Sequence, residues 1–263
     1  MQATTYLKNA LSRGEKCIGF WLTYNAPPLA KTILGTGDYT WALIDAEHGQ
    51  ITDADFYVLS NLVASAGASP IIRIPCDSEW MIKRALDAGA HGIMTPMCHN
   101  ADDARRIVQY SKYPPVGSRG YGPMFSAHTF GIQDGDYPGD ADANLLVIVQ
   151  IESREGIENV QEIAYVEGVD VLFVGPFDLC KSMNVPFGSD EHEAAIQGVL
   201  QAAMTADKGA AIFCSDGETA NMRLGQGFDM ASTCTDAAAV IAQFRREYQA
   251  ARGSKTSKSG SVY

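Results

Sequence analysis

The regular alternation of short apolar runs with amphipathic stretches is the feature that most constrains this chain. Runs apolar on both faces and bounded by turn residues read as strands buried on both sides. The stretches between them, roughly ten to sixteen residues with helical periodicity, read as the layer that covers those strands. The strand candidates are Cys17–Leu22, Trp41–Asp45, Pro70–Ile74, His91–Thr95, Leu145–Ile151, Asp170–Val174, Ala210–Cys214 and Phe228–Ser232. Helix candidates lie near 28–36, 53–66, 78–88, 101–112, 155–165, 190–207, 217–226 and 236–251. Eight strand–helix pairs predict an α/β fold of the (β/α)8 TIM-barrel type, a single domain over residues 1–252. A doubly wound dinucleotide-binding sheet would place G-x-G-x-x-G after its first strand, and Phe20-Trp21-Leu22-Thr23-Tyr24-Asn25 carries no glycine.

With 46% hydrophobic and 19% charged residues, the chain has the apolar side chains for a sizeable core, which excludes disorder, collagen and coiled coil. A net charge of −11 repels phosphate backbones and anionic lipid, so neither nucleic acid nor a membrane is expected as a partner. No apolar run approaches the roughly 18 residues of a membrane span, and Met1 to Lys8 lacks the apolar core of a signal peptide. These features predict a soluble cytoplasmic protein. The six cysteines (Cys17, Cys76, Cys98, Cys180, Cys214, Cys234) form no C-x-x-C pair and read as reduced core thiols. Two segments interrupt the alternation, 113–144 and 178–189, and loops of this kind are usually lids or interface segments. The polar stretch 253–263 reads as a flexible tail.

A barrel presents its chemistry at the C-terminal ends of its strands, and few of those ends here carry ordinary loop residues. The first strand ends near Trp21, and the second runs into Asp45-Ala46-Glu47-His48-Gly49. The third carries Arg73, the fifth ends Gln150-Ile151-Glu152, and the sixth runs into Gly175-Pro176-Phe177-Asp178. Glu152 and Asp178, on consecutive strands, converge over the barrel mouth. Two such carboxylates repel unless they share a proton or hold a hard cation, Mg2+ first, with Mn2+ or Co2+ as substitutes. Taken singly, Glu152 also suits a partner for Arg154 or a helix N-terminal charge, and Asp178 an N-cap. His48, three residues after Asp45, reads either as a general base oriented by that carboxylate or as a hydrogen-bonded histidine at a strand end. Arg73 lies in the apolar run Ile71-Ile72-Arg73-Ile74-Pro75, so it binds an anion or pairs with a barrel acid such as Asp45. The turn at Gly175-Pro176-Phe177 leads into a helix start that suits a carboxylate. No lysine occupies a strand end, which speaks against a Schiff-base aldolase.

Six segments in order, WALIDAEHGQ (41–50), PIIRIP (70–75), ALDAGAHGIMTP (85–96), YPPVGSRG (113–120), VQIESREG (149–156) and VDVLFVGPFDL (169–179), resemble the HpcH/HpaI aldolase family, class II pyruvate aldolases such as 4-hydroxy-2-oxoheptanedioate aldolase. Within it, SRGYGP, QIESREG, FGSDEH and GFDMAS are most similar to the macrophomate synthase-like branch, whose members decarboxylate oxaloacetate to a metal-bound pyruvate enolate. The resemblance implies Glu152 and Asp178 as metal ligands, with water and the 2-oxo acid completing the shell. It implies Arg73 on the oxygen that becomes the enolate, and His48 with Asp45 as acid and base through a water. Gln150 would support the keto oxygen, backbone N–H groups around Phe177 and Asp178 the substrate carboxylate, and Trp21 and Phe213 the acceptor pocket. Asp87 matches an acid that the family uses near an adjoining subunit's site. Family members are hexamers, trimers of dimers that exchange their last helix, here roughly 236–251. Many bacterial members carry a small residue in place of Phe177 and an aliphatic one in place of Phe213. The implied activity is a Mg2+-dependent carbon–carbon lyase on pyruvate, oxaloacetate or hydroxy-2-oxo acids, by retro-aldol cleavage or decarboxylation. A macrophomate synthase-like coupling of decarboxylation to bond formation, or a non-catalytic 2-oxo-acid-binding barrel, is the alternative.

Overall fold

The structure, a computed structural model, describes residues 5–253. Eight parallel strands close into a barrel in chain order: β1 (Cys17–Leu22), β2 (Trp41–Asp45), β3 (Ser69–Arg73), β4 (Gly92–Thr95), β5 (Leu146–Ile151), β6 (Val171–Val174), β7 (Gly209–Ile212) and β8 (Met230–Thr235). Every strand candidate corresponds to one of these. The largest displacement is at β8, which starts later and runs on to Thr235. Alternate side chains of a strand point to opposite faces. Leu43, Ile71, Met94, Ile148, Phe173 and Met230 therefore fill the barrel, while Ala42, Ile44, Ile72, Ile93, Val149 and Leu172 meet the helices. Both faces being covered, β2, β3 and β5 are buried at every position, which is why they read as continuous apolar runs.

The helices begin where the sequence offers capping oxygens. Asn100 accepts from the Asp102 and Asp103 N–H groups, Ser153 from Gly156, Ser189 from His192 and Thr235 from Ala238. The helix expected over 155–165 is broken at Asn159 into Arg154–Glu158 and Val160–Ala164. A helix that periodicity did not announce, Tyr6–Ser12, packs Leu7 and Ala10 against the barrel interior, and the Leu7 N–H donates to Ser69 Oγ at 2.9 Å. Seven residues are too few for a periodic signal.

Neither interrupting segment is a bare loop. Residues 113–144 contain the helices Ala127–Phe130 and Tyr137–Asn144. Their residues Thr129 and Arg119 bond to Gly89 and Asp87, at the chain turn entering β4. That turn lies at the N-terminal end of the strands, so this segment is no lid over the mouth. The first half of residues 178–189 belongs to the helix Pro176–Met183, and the second half is a turn. Residues 254–263 of the expected tail lie outside the described residues. Among the described residues no helix is long and apolar enough to cross a membrane. Four cysteines are buried core thiols, as read, but Cys234 is half-buried and Cys76 exposed. Burial pushes the thiols of Cys98 and Cys214 up to about 12, which keeps them unreactive.

His91 ties this lower end together. It is fully buried, with Nε2 at 2.9 Å from the Thr129 carbonyl and Nδ1 at 3.0 Å from Ser69 Oγ. A carbonyl only accepts, so Nε2 carries a proton. Burial lowers its pKa to about 4. The unfolded chain takes up this proton near pH 6.5 and the native state does not until about 4. Stability is therefore complete above pH 6.5 and falls as pH drops towards 4, by about 3 kcal/mol for this one group. The urea midpoint should fall between pH 7 and 4.5, and less so in His91→Gln; an equal fall in both would clear His91 of the effect.

Candidate active site

The register of β2 against β3 sets Asp45 beside Arg73. The result is a bidentate pair: Arg73 Nε and Nη2 donate to Asp45 Oδ1 and Oδ2 at 2.9 and 2.7 Å, with both side chains buried. Trp21 lies across the guanidinium, its ring centroid 4.4 Å from Cζ. Arg73 Nη1 points to Gln150 Oε1 at 3.4 Å, and Gln150 Nε2 donates to Glu152 Oε2 at 3.1 Å. The amide orientation follows from its neighbours, a cation on one side and an anion on the other. Of the two readings its sequence setting left open, the structure shows the pairing with Asp45; Arg73 also lines the cavity.

Glu152 is buried just beyond the end of β5, with Oε1 accepting from the Met97 N–H at 2.9 Å. Met97 sits at φ 54°, a costly left-handed conformation for this residue type, which turns that N–H inward. Gly175 makes the room: a Cβ there would stand 2.0 Å from Glu152 Oε2. Burial first, and the nearby charge of Asp178 after the opposing Met97 hydrogen bond, push the Glu152 carboxyl up to about 7. The Glu47 carboxyl is also raised, again mainly by burial. Its Oε2 stands 3.0 Å from Arg73 Nη1 yet has no aligned hydrogen bond.

This donor set fits a hard divalent cation. Glu152 and Asp178 both offer carboxylate oxygens to one cavity, where burial and the Asp178 charge disfavour the Glu152 charge without a counter-charge. Among the described residues no group of three or more His, Cys, Asp or Glu side chains is arranged as a complete metal site. A cation held here would therefore need water and substrate oxygens to fill its shell.

One cavity of about 290 Å³ at the barrel mouth gathers Trp21, Asp45, His48, Arg73, Gln150, Glu152, Gly175, Pro176, Phe177, Asp178 and Phe213. Among the described residues no lysine lines it. The relation expected between Asp45 and His48 is corrected. Asp45 Oδ1 accepts from the backbone N–H groups of Glu47 and His48, at 3.1 and 3.3 Å, and its other contacts go to Arg73. The exposed His48 ring lies instead beside Glu47, with Nε2 3.7 Å from Oε1. The tight turn depends on Gly49, where a Cβ would meet the Asp45 carbonyl at 2.3 Å. Asp87 stands apart from this cavity: it closes the helix Glu79–Asp87, at the opposite end of the barrel, and accepts from buried Arg119 at 2.7 Å. Glu47 is the site residue to which sequence reasoning assigned no role. Its signal was its place between the two polar residues of the Asp45–His48 turn. Thr23, Thr235, Ala237, Ala238 and Ile241 also line the cavity and carry no local signal, because the chain returns to β1 only when β8 closes the barrel.

Comparison with known proteins agrees with this architecture. Residues 17–242 match the family model described as HpcH/HpaI aldolase/citrate lyase. The hydroxypyruvate/pyruvate aldolase of Paraburkholderia phytofirmans is 35% identical over 95% of this chain and 98% of its own length. The 2-keto-3-deoxy-L-rhamnonate aldolase of Klebsiella pneumoniae is 33% identical over 87% and 86%. The crystal structure of an HpcH/HpaI aldolase/citrate lyase family protein from Burkholderia cenocepacia superposes with TM-score 0.87 at 33% identity, covering 94% of this chain and 99% of that one. Macrophomate synthase, 21% identical with TM-score 0.80 over 96% and 94%, shares the fold. The chain therefore belongs to the HpcH/HpaI aldolase/citrate lyase family and is, by that membership, a lyase.

Proposed function

We propose that this enzyme makes and consumes the enolate of pyruvate. It would do so by retro-aldol cleavage of 4-hydroxy-2-oxo acids such as 4-hydroxy-2-oxoheptanedioate, by decarboxylation of oxaloacetate, or both. The observation that carries the reading is the Asp45-clamped Arg73 beside Gln150 and Glu152: a buried, fixed cation at the base of the mouth cavity, suited to stabilising an oxyanion. The activities for which the two aldolase relatives are named support it.

Glu152 and Asp178 would hold a divalent cation, most simply Mg2+, which when bound polarises a 2-oxo group as a Lewis acid. Arg73 donates to the oxygen on which charge develops as the C3–C4 bond breaks, and Asp45 and Trp21 keep it from turning away. Gln150 bridges Arg73 and Glu152 and fixes their spacing. The N-terminus of the helix Pro176–Met183, at Phe177 and Asp178, favours the substrate carboxylate. His48, exposed at the rim, exchanges the proton with the departing or entering oxygen through a water, with Glu47 as the neighbouring acid. Trp21 and Phe213 bound the acceptor side. The same reading places the enzyme in the cytoplasm.

Assembly is the second part of the reading. The helix Asp236–Ala251 buries only Asp236 and leaves Ile241, Phe244 and Tyr248 exposed. An apolar face of this kind suits a second copy of the chain, as in a hexamer, a trimer of dimers exchanging this helix. Asp87 would then serve an adjoining subunit. The experiment is pyruvate release from oxaloacetate and, separately, from 4-hydroxy-2-oxoheptanedioate, each with Mg2+ and with excess EDTA. EDTA-sensitive release is expected from at least one; none from either would refute the reading.

A further inference from the structure

An aromatic wall runs outward from the cavity, and the pyruvate chemistry uses only its inner part. Trp21 and Phe213 meet edge to face with centroids 5.1 Å apart, and Phe213 meets Phe177 in the same way at 5.8 Å. Phe177 then stacks on Phe187, at 4.8 Å and 16°. The first three rings line the cavity; Phe187 carries the wall beyond it and is 58% exposed.

An exposed phenyl ring gains little from being held, yet this one is fixed from several sides. Asn184, with φ 55° and ψ 47°, ends the helix Pro176–Met183 and turns the chain back, and Gly188 at φ 76° turns it again. His192, buried in the first turn of the helix Asp190–Thr205, accepts the Gly188 N–H on Nδ1 at 3.1 Å. Its Nε2 lies 2.8 Å from the Pro176 carbonyl. A carbonyl only accepts, so Nε2 donates. One imidazole thereby ties the residue after Phe187 to the residue before Phe177, and its ring lies 5.1 Å from Phe187. Beside the wall the lining offers Ala237, Ala238 and Ile241; the Thr23 hydroxyl is committed to Asp236 at 2.6 Å, and the Thr235 oxygen accepts the Ala238 N–H at 3.0 Å.

We propose that this wall is the acceptor subsite and that it takes a carbonyl compound bearing a flat apolar ring, an aromatic aldehyde in the direction of bond formation. The inference rests on the pyruvate-enolate reading and names its second substrate class. In that direction C3 of pyruvate gives a proton to the site's base and its electron pair bonds to the aldehyde carbon. The carbonyl π pair moves to oxygen, which takes a proton and becomes the hydroxyl. A ring gains burial and stacking along Phe177 and Phe187. A polyhydroxylated aldehyde laid along Phe177 and Phe187 would give up water without finding partners on those rings.

The test compares benzaldehyde with glyceraldehyde as acceptors for the Mg2+-loaded full-length enzyme and pyruvate. Wild type should favour benzaldehyde in kcat/KM by about tenfold or more. Phe187→Ala, at an exposed position, should lower that ratio at least about threefold through the benzaldehyde KM, and Phe187→Tyr should keep it. A wild type that favours glyceraldehyde, or a ratio unmoved in Phe187→Ala, overturns the proposal. Calorimetric binding of benzyl alcohol, an unreactive probe, reads the subsite without chemistry. Binding weakened about threefold in Phe187→Ala supports the wall; no binding, or equal binding, overturns it. Deuterium exchange into the pyruvate methyl group without aldehyde separates the two ideas. Its absence in the wild type removes the enolate reading, and benzyl alcohol still decides the subsite.

Discussion

Replacing Arg73 by lysine is expected to lower kcat/KM for pyruvate-forming cleavage by about a hundredfold to a thousandfold, and deuterium exchange into pyruvate with it, because one preorganised oxyanion donor contributes about 3–4 kcal/mol. The geometry explains why a conservative change suffices. Arg73 spends Nε and Nη2 on Asp45 and presents Nη1 to the cavity side at Gln150, and an ammonium cannot hold both directions at once. Arg73→Ala removes the same donor but also leaves Asp45 buried without its partner, at about 3–5 kcal/mol of stability. The lysine variant therefore separates catalysis from folding. Unchanged exchange in Arg73→Lys would show that the charge developing in the reaction lies elsewhere.

Glu152→Gln should abolish divalent-cation-dependent turnover, and Asp178→Ala likewise, while both variants fold. The stability consequence of Glu152→Gln is smaller. Glu152 is buried beside Asp178, a setting that disfavours its charge. A glutamine removes that charge but can accept from only one of Met97 and Gln150, so the two effects oppose each other and the Tm of the metal-free protein should change little. Calorimetric titration with Mn2+ reports binding directly, and the expected result is loss of the site in either variant. Wild-type rates in either, or wild-type Mn2+ affinity, would remove the metal assignment.

The barrel was legible because a parallel sheet covered on both faces has to be written as continuous apolar runs. Leu43 and Ile44, neighbours on β2, face opposite cores and must both be apolar. The candidate site was legible for a related reason: polar residues at the ends of such runs, Asp45, Arg73, Gln150, Glu152 and Asp178, have no place in a core unless they act together. Partners across the barrel were not. The sequence spacing of Asp45 and His48 suggested a dyad, but the β2–β3 register gives Asp45 to Arg73 and leaves the His48 ring beside Glu47. Asp87 was named only through the family resemblance, for an adjoining subunit's site, and the direction of its helix puts it at the other end of the barrel from this cavity.

The sequence by itself determined the number and order of strands, the pairing of carboxylates at neighbouring strand ends and the absence of a strand-end lysine, because each of these is a matter of local pattern and strand order. Only the tertiary structure decided which groups touch. Closure of β8 on β1 brings Thr235 and Ala238 to the mouth, the space at Gly175 admits Glu152, and the turns at Asn184 and Gly188 lay Phe187 on Phe177. Such contacts depend on register, on closure and on where a side chain is missing, and those are properties of chain segments far apart in sequence that meet only once the barrel has formed.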